Sequence, residues 1–263
     1  MSKTFKHPGT WVAIYDLHYP LVDWPTFNAA MDFMSKNEIA GFIWGGDQFD
    51  NNEISHHTKG KPIFRERAAY KRNTDGFNNK ILKPLEEVLG NEIPLIYITG
   101  NHERFEQDLI ECHPELEGTI EHDKLLHLEE RGWQIVPLGH SYKLGKLAVI
   151  HGDILTGIGN QAGLFPSKKA VEIFACSVLA GHTHASQSYT RVSPVTERDK
   201  WMGWIAPIAG KTNPSYLRNR PTAWMNGFVI IEVRADGTFN LYPVIVCADG
   251  TFSYGGHVYG GKR

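Results

Sequence analysis

Two histidines stand one residue apart in the segment LAGHTHASQS, directly after a short apolar run and a glycine. Residues i and i+2 of an extended chain project to the same side, so His182 and His184 could face a single point. Such a pair is either a polar surface turn or half of a metal site. The second interpretation requires further ligands elsewhere in the chain.

Similar polar clusters follow four other apolar runs. They are Asp16-Leu17-His18, Gly46-Asp47-Gln48-Phe49-Asp50, Gly100-Asn101-His102-Glu103 and His151-Gly152-Asp153. Loops at the carboxyl ends of the strands of an α/β sheet share one edge, where ligands bind. We therefore expect the five clusters to converge in space. This convergence favours a metal site over a polar surface turn as the explanation for His182 and His184.

The residue types in these clusters suit divalent metal ions. Imidazoles, carboxylates and one asparagine carbonyl form a ligand set for manganese, iron or zinc. No cysteine is among them, which argues against a structural thiolate zinc site. The neighbouring glycines let the backbone turn sharply beside an ion.

The elements that would position these clusters alternate between strands and helices. Strands are expected at 11–15, 41–44, 94–99, 147–150 and 176–180, and helices at 25–40, 63–89, 103–132 and 167–175. Gly76 and Pro84 are expected to interrupt the second helix. From residue 204 onward the pattern is all-β, with a hairpin turn at 235–237.

We interpret the 263 residues as one domain, with a Gly-rich tail at 249–263 that is loose or used at an interface. The net charge of −2 provides no general attraction to nucleic acid or to anionic membranes. No stretch has the length and apolarity of a membrane span, and the N-terminus lacks the apolar run of a signal peptide. The three cysteines suit a reducing compartment, so a cytoplasmic location is predicted.

The ordered motifs D-x-H, G-D-x-x-D, G-N-H-E, H-G and G-H-T-H resemble those of the calcineurin-like metallophosphoesterase superfamily. The resemblance covers residues 11–184. It implies an α/β fold with two central mixed β-sheets flanked by helices, an αββα sandwich. It also implies a binuclear metal centre at the carboxyl edge of the strands.

The resemblance also assigns roles to individual residues. Asp16, His18 and His184 would hold one ion, Asn101, His151 and His182 the other, and Asp47 would bridge them. His102 would contact the substrate phosphate or protonate the leaving group, with Glu103 orienting it. We expect Asp50 to brace its loop rather than bind metal.

The predicted function is hydrolysis of phosphodiester bonds in nucleic acid or nucleotides, through a hydroxide that bridges two divalent ions. Manganese is the favoured ion, with iron, zinc or nickel as alternatives. The layout resembles compact nuclease and phosphodiesterase members from phage and bacteria. Asn51 stands where the protein phosphatases carry arginine, although Arg104 after G-N-H-E is similar to theirs.

Two other functions remain open on the sequence. The chain could be a phosphomonoesterase or a cyclic-nucleotide phosphodiesterase. It could also be an inactive scaffold of the same fold, but that hypothesis predicts decayed ligands and all seven are present. The oligomeric state is left open.

The segment 211–224 is a long, Pro-punctuated loop that we expect to line the cleft. Arg218 or Arg220 would bind a phosphate, and Tyr216 would stack on a base. The alternative is a structural connection packed under Trp224.

Overall fold

The computed structural model describes residues 5–60, 67–90, 92–156, 164–195, 200–218 and 220–261. Its thirteen strands within these ranges are β1 (Gly9–Ile14), β2 (Ile39–Trp44), β3 (Leu95–Ile98), β4 (Trp133–Val136), β5 (Tyr142–Leu144), β6 (Leu147–Val149), β7 (Ser177–Ala180), β8 (Gln187–Val192), β9 (Lys200–Ile205), β10 (Gly227–Val233), β11 (Phe239–Ile245), β12 (Thr251–Tyr254) and β13 (His257–Gly260). The α-helices are α1 (Trp24–Lys36), α2 (Arg67–Phe77), α3 (Lys83–Leu89), α4 (Arg104–Cys112), α5 (His122–Leu125) and α6 (Pro166–Phe174).

Two mixed sheets form the centre of the molecule. The larger has the order β11-β10-β1-β2-β3-β4, and the smaller has the order β5-β6-β7-β9-β8. Strands β1 to β4 run parallel, as do β6, β7 and β9. The carboxyl ends of each parallel set therefore lie along one edge of its sheet.

Buried apolar side chains hold the layers together. Trp11, Ile43 and Ile231 of the larger sheet pack against Val149 and Leu179 of the smaller one. The opposite face of the larger sheet packs against α1 and the 77–85 helical segment, and α6 packs on the smaller sheet. The αββα sandwich with two mixed sheets is thus confirmed.

The second helix is irregular rather than interrupted. A π-helical segment, Asn78–Leu82, joins α2 to α3, and the Lys83 amide bonds the Asn78 carbonyl. Pro84 lies in the first turn of α3, where its missing N–H costs little. Gly76 lies within α2, and its lack of a side chain permits close packing, since a Cβ there would lie 2.3 Å from the Tyr19 hydroxyl. The expected breaks at Gly76 and Pro84 are therefore wrong, and residues 63–66 lie outside the described ranges.

Two other expectations about elements need correction. Residues 103–132 are not one helical region, since turns separate α4 from the four-residue α5. The tail, as far as residue 261, is not loose. Strands β12 and β13 pair through a Gly255-Gly256 turn with positive φ angles, and Phe252 and Tyr259 are buried against Phe33 of α1. The hairpin at 235–237 is confirmed, because β10 and β11 pair across it.

Candidate metal centre

The five polar clusters lie at strand ends, as the sequence predicts. Asp16 follows β1, Asp47 follows β2, Asn101 follows β3, His151 follows β6, and His182 follows β7. Contacts between clusters of the two sheets, such as His184 with Asp16 and His151 with Asp47, show that the strand ends meet at one edge of the sandwich.

The backbone is strained where these side chains enter the site. Among the described residues, nine that are not glycine have positive φ, and five of these are predicted ligands. These five are Asp16, His18, Asp47, His182 and His184, with φ between 50° and 64°. A left-handed conformation is unfavourable for residues with a Cβ and concentrates at functional sites.

The first group comprises Asp16, His18 and His184, all buried. His184 Nε2 lies 3.3 Å from His18 Nε2 and 3.5 Å from Asp16 Oδ1. Each of the three offers a ligand atom within 4.8 Å of the others. Asp16 is held in place because its carboxylate accepts the His182 amide at 3.0 Å.

The second group comprises Asp47, His151 and His182. His151 Nε2 lies 3.4 Å from Asp47 Oδ2 and 2.9 Å from Asn101 Oδ1, so Asn101 joins this group. The hydroxyl of Thr156 lies 2.7 Å from His182 Nε2, a contact that the sequence did not reveal. The seven predicted ligands thus fall into two neighbouring groups.

The donor set fits metal ions. His151 Nδ1 must carry a hydrogen, since it bonds the Gly45 carbonyl at 3.1 Å and a carbonyl only accepts. Its Nε2 is therefore the nitrogen that faces the carboxylate of Asp47 and that would bind a metal ion, the usual arrangement of a metal-binding histidine. The approach is close, because a Cβ on Gly46 would lie 2.2 Å from His151 Nδ1.

Asp47 lies between the second group and His102. Its Oδ2 is 3.4 Å from His151 Nε2 and 3.9 Å from His102 Nε2, and its Oδ1 accepts the His102 amide at 2.9 Å. Burial raises the pKa of the Asp47 carboxyl, but His151 and His102 more than offset this and hold it well below its usual range. Asp47 is therefore a carboxylate available to positive charge on either side.

His102 presents one ring nitrogen to the site. Its Nδ1 donates to the Asp50 carbonyl at 2.7 Å, so Nε2 points toward Asp47. About a quarter of the side chain is exposed, whereas His18 and His151 are nearly fully buried. His102 thus combines contact with Asp47 and access from solvent.

Glu103 does not orient His102 as expected. Its carboxylate accepts the amides of Asp47, Phe49 and Gly100 at 2.8–3.1 Å. It therefore fixes the loop that carries Asp47, and the carbonyl of Asp50 orients the His102 ring instead. Burial, with the Asp47 charge, raises the pKa of Glu103 to about 7.

Asp50 contacts two histidines of the site. Its Oδ1 is 3.6 Å from His18 Nδ1 and 4.0 Å from His102 Nδ1, and Asn52 bonds its other oxygen. Burial raises the pKa of Asp50 to about 6. The ligand atoms of His18, Asp50 and His102 lie within 4.8 Å of one another, so Asp50 is placed where it could bind a metal ion as well as brace its loop.

The 211–224 loop reaches the site through its aromatic residues. The ring of Trp224 lies edge-on to His184, with centroids 4.4 Å apart. Tyr216 is half exposed, and burial together with the Asp50 and Asp47 carboxylates raises its pKa to about 12. Arg218 and Arg220 are exposed at the same loop and form no ion pair with the residues that the structure describes. Sequence reasoning placed Trp224 in this loop but did not foresee its contact with a predicted ligand.

No family model matches the sequence, and no curated protein does. Among solved structures, the chain is similar to zinc-bound Vps29 from Entamoeba histolytica (12% identity, 93% of this chain and 96% of that chain, TM-score 0.44). It is also similar to a dimetal phosphatase from Danio rerio (9%, 90% and 99%, TM-score 0.44) and to a predicted phosphoesterase from Streptococcus pneumoniae (9%, 90% and 99%, TM-score 0.36). Because these identities are 12% or lower and the TM-scores are below 0.5, the similarities assign no role to any residue of this chain.

The αββα sandwich expected from the calcineurin-like metallophosphoesterase resemblance is present, with His and Asp groups able to bind metal at the carboxyl edge of its strands. None of the helices that the structure describes is both long and apolar enough to cross a membrane.

Proposed function

We propose that the chain is a metal-dependent phosphoesterase that hydrolyses phosphodiester bonds of nucleic acid or nucleotides. One observation carries this proposal. Two groups of largely buried imidazoles and carboxylates, from four strand ends, lie side by side with Asp47 next to both His151 and His102. A structural metal site would not need a pair of such groups at an open edge.

Asp16, His18 and His184 would hold one divalent ion, and Asn101, His151 and His182 the other, with Asp47 shared. Bound there, two ions supply Lewis acidity and lower the pKa of water, which is the chemistry that phosphate-ester hydrolysis requires. The mixed nitrogen and oxygen donors favour manganese, with iron, zinc and nickel as alternatives.

His102 would protonate the departing oxygen. Its Nδ1 hydrogen is committed to the Asp50 carbonyl, so Nε2 is the atom that can hold and deliver a proton. The ring contacts His18 edge-on, with centroids 4.6 Å apart, which restricts its rotation. Glu103 would act indirectly by fixing the Asp47 loop.

The aromatic side chains beside the site support a nucleic-acid or nucleotide substrate. Tyr216 is half exposed and Trp224 touches His184, so a base adjacent to the scissile phosphate could stack on either ring. Arg218 or Arg220 would bind a phosphate beyond the scissile one.

A substrate panel tests the proposal. Manganese-loaded protein would be assayed on bis-p-nitrophenyl phosphate, p-nitrophenyl phosphate, a single-stranded oligonucleotide and duplex DNA. We expect the diesters to be hydrolysed faster than the monoester. Faster monoester hydrolysis would make the chain a phosphomonoesterase, and no hydrolysis of any substrate would favour a scaffold.

A further inference from the structure

The ring of His182 is contacted by a threonine from a different strand end. Thr156 follows β6 through the short 3₁₀ turn Asp153–Leu155, whereas His182 follows β7. The Thr156 hydroxyl oxygen lies 2.7 Å from His182 Nε2, which is hydrogen-bond distance. The contact therefore joins the loop after β6, which also carries His151, to the loop that carries His182 and His184.

The direction of this hydrogen bond follows from the other partner of the hydroxyl. Thr156 Oγ1 also lies 3.0 Å from the carbonyl oxygen of Asp153, which can only accept a hydrogen bond. The single hydroxyl hydrogen is therefore used there, and the Thr156 oxygen acts as the acceptor toward His182. His182 Nε2 consequently carries the hydrogen of the contact between the two side chains.

This direction decides which ring nitrogen of His182 can bind a metal ion. A neutral imidazole carries one N–H, so a hydrogen on Nε2 leaves the lone pair on Nδ1. Nδ1 is therefore the nitrogen that His182 has available for the group it forms with Asp47 and His151. His151 is held in the opposite way, since its Nδ1 donates to the Gly45 carbonyl and its Nε2 faces Asp47.

The backbone of His182 is fixed independently of its ring. Its amide donates to the Asp16 carboxylate at 3.0 Å, and its φ is 64°. The side chain is only half-buried, so these backbone contacts leave the ring free to rotate and exchange the positions of its nitrogens. The hydrogen bond to Thr156 restricts that rotation.

The turn that carries Thr156 is anchored in the protein. Leu155 is fully buried, in a cluster with Ala170 of α6 and Val178 of β7. Lys169 of α6 donates from Nζ to the Leu155 carbonyl at 2.7 Å. Because the preceding residue is held by both its side chain and its carbonyl, the Thr156 hydroxyl has a defined position beside His182.

A threonine hydroxyl that bonds the carbonyl three residues earlier is by itself only a local turn contact. Thr119 makes the same contact, with the Leu116 carbonyl at 2.6 Å, and its hydroxyl has no histidine partner in the described structure. Thr156 differs from Thr119 in its second contact, which is with a predicted metal ligand.

We propose that Thr156 is a positioning residue of the metal centre, which keeps the hydrogen of His182 on Nε2 and so directs Nδ1 toward the rest of the second group. Partners of this kind orient a metal-binding histidine and select its tautomer. This inference rests on the metal centre of the proposed function and deepens it, but it concerns binding of the ion and requires no hydrolysis.

Calorimetric titration of chelator-stripped protein with manganese tests the proposal. Thr156→Val, which removes the hydroxyl and keeps the shape, should weaken binding of one of two ions about 10- to 100-fold and leave the other nearly unchanged. Thr156→Ser retains the hydroxyl and should bind both ions like the wild type. The matched control Thr119→Val loses the same local bond and should also bind like the wild type. Wild-type affinity in Thr156→Val, or equal losses in Thr156→Ser or Thr119→Val, would overturn the proposal.

Nuclear magnetic resonance of metal-free protein with ¹⁵N-labelled histidine examines the tautomer directly, at about pH 8, above the usual histidine pKa of about 6.5. We expect the His182 hydrogen on Nε2 in the wild type and in Thr156→Ser, and a mixture of tautomers in Thr156→Val. A hydrogen on Nδ1 in the wild type would overturn the proposal. A wild type that binds no manganese would refute the metal centre as well, whereas two-ion binding that Thr156→Val leaves intact would refute only the role of Thr156.

Discussion

Asp47 is the residue that we propose the two metal groups share. Its carboxylate faces His151 on one side and His102 on the other, and a Cβ on Gly100 would lie 2.1 Å from Asp47 Oδ1. The absence of a side chain at Gly100 therefore leaves the space that the Asp47 carboxylate occupies. Removing its charge should therefore affect both ions.

Asp47→Asn should lose bound metal and activity together, because an amide is a weaker ligand than a carboxylate that serves two ions. Elemental analysis and hydrolysis of bis-p-nitrophenyl phosphate measure the two effects. Asp75→Asn, the same change at an exposed residue of α2, is the control and should retain both. Full metal content in Asp47→Asn would show that Asp47 is not a shared ligand.

His102→Ala should keep bound metal but lose turnover by about 10²- to 10⁴-fold, the usual effect of losing a general acid. The loss should be smaller for a p-nitrophenyl ester, whose leaving group needs little protonation. His127→Ala, at an exposed histidine of no motif, is the control. A parallel fall in metal content would mean that His102 is itself a ligand.

The sequence predicted the residue types and the strand ends at this site, because each ligand lies within a few residues of a strand. It could not predict the hydrogen-bond partners of Glu103 and His102. The Glu103 carboxylate binds backbone amides of the Asp47 loop, and the Asp50 carbonyl binds His102. Both contacts depend on how β2 and β3 are paired in space, which residue spacing does not encode.

At the scale of elements, the turns after the strands set the geometry of the centre. Gly46 has a φ of 104°, and a Cβ there would lie 2.2 Å from His151 Nδ1. Glycine at position 46 therefore permits the positive φ of this turn and leaves space for the ring of His151, a predicted ligand.

Gly46→Ala should displace His151 and reduce both bound metal and hydrolysis of bis-p-nitrophenyl phosphate. Gly132→Ala is a matched control, since Gly132 has a φ of 87° but nothing within 4 Å of an added Cβ. The control should cost about 1 kcal/mol of stability through backbone strain and keep its metal. Equal metal loss in both variants would indicate general unfolding instead of a local clash.

The 211–224 loop is the element that we expect to contribute substrate binding. Arg218→Ala/Arg220→Ala should raise KM for an oligonucleotide and leave hydrolysis of bis-p-nitrophenyl phosphate nearly unchanged, since that substrate has no second phosphate. Arg72→Ala/Arg234→Ala, at two exposed arginines elsewhere, is the control. Equal losses on both substrates would mean that the loop is structural, and no effect on either would mean that it faces away from the site.

At the scale of the whole molecule, patterning predicted the alternation of strands and helices, and the family resemblance implied the two-sheet sandwich, but neither predicted its irregular parts. Gly76 of α2 packs closely against Tyr19, which is 57 residues away in sequence, and a Cβ there would lie 2.3 Å from the tyrosine hydroxyl. The tail forms a hairpin because Phe252 and Tyr259 find Phe33 on α1. In both places a tertiary contact decides the structure, and local propensity does not reveal it.

The central claim is that two metal ions bound at one edge of the sandwich hydrolyse a phosphodiester. The most direct test adds manganese in steps to chelator-stripped protein while bis-p-nitrophenyl phosphate hydrolysis and bound metal are measured together. We predict that the rate rises with bound manganese and reaches its plateau at about two ions per chain. Full activity at one ion per chain, or no hydrolysis at any manganese content, would contradict the account.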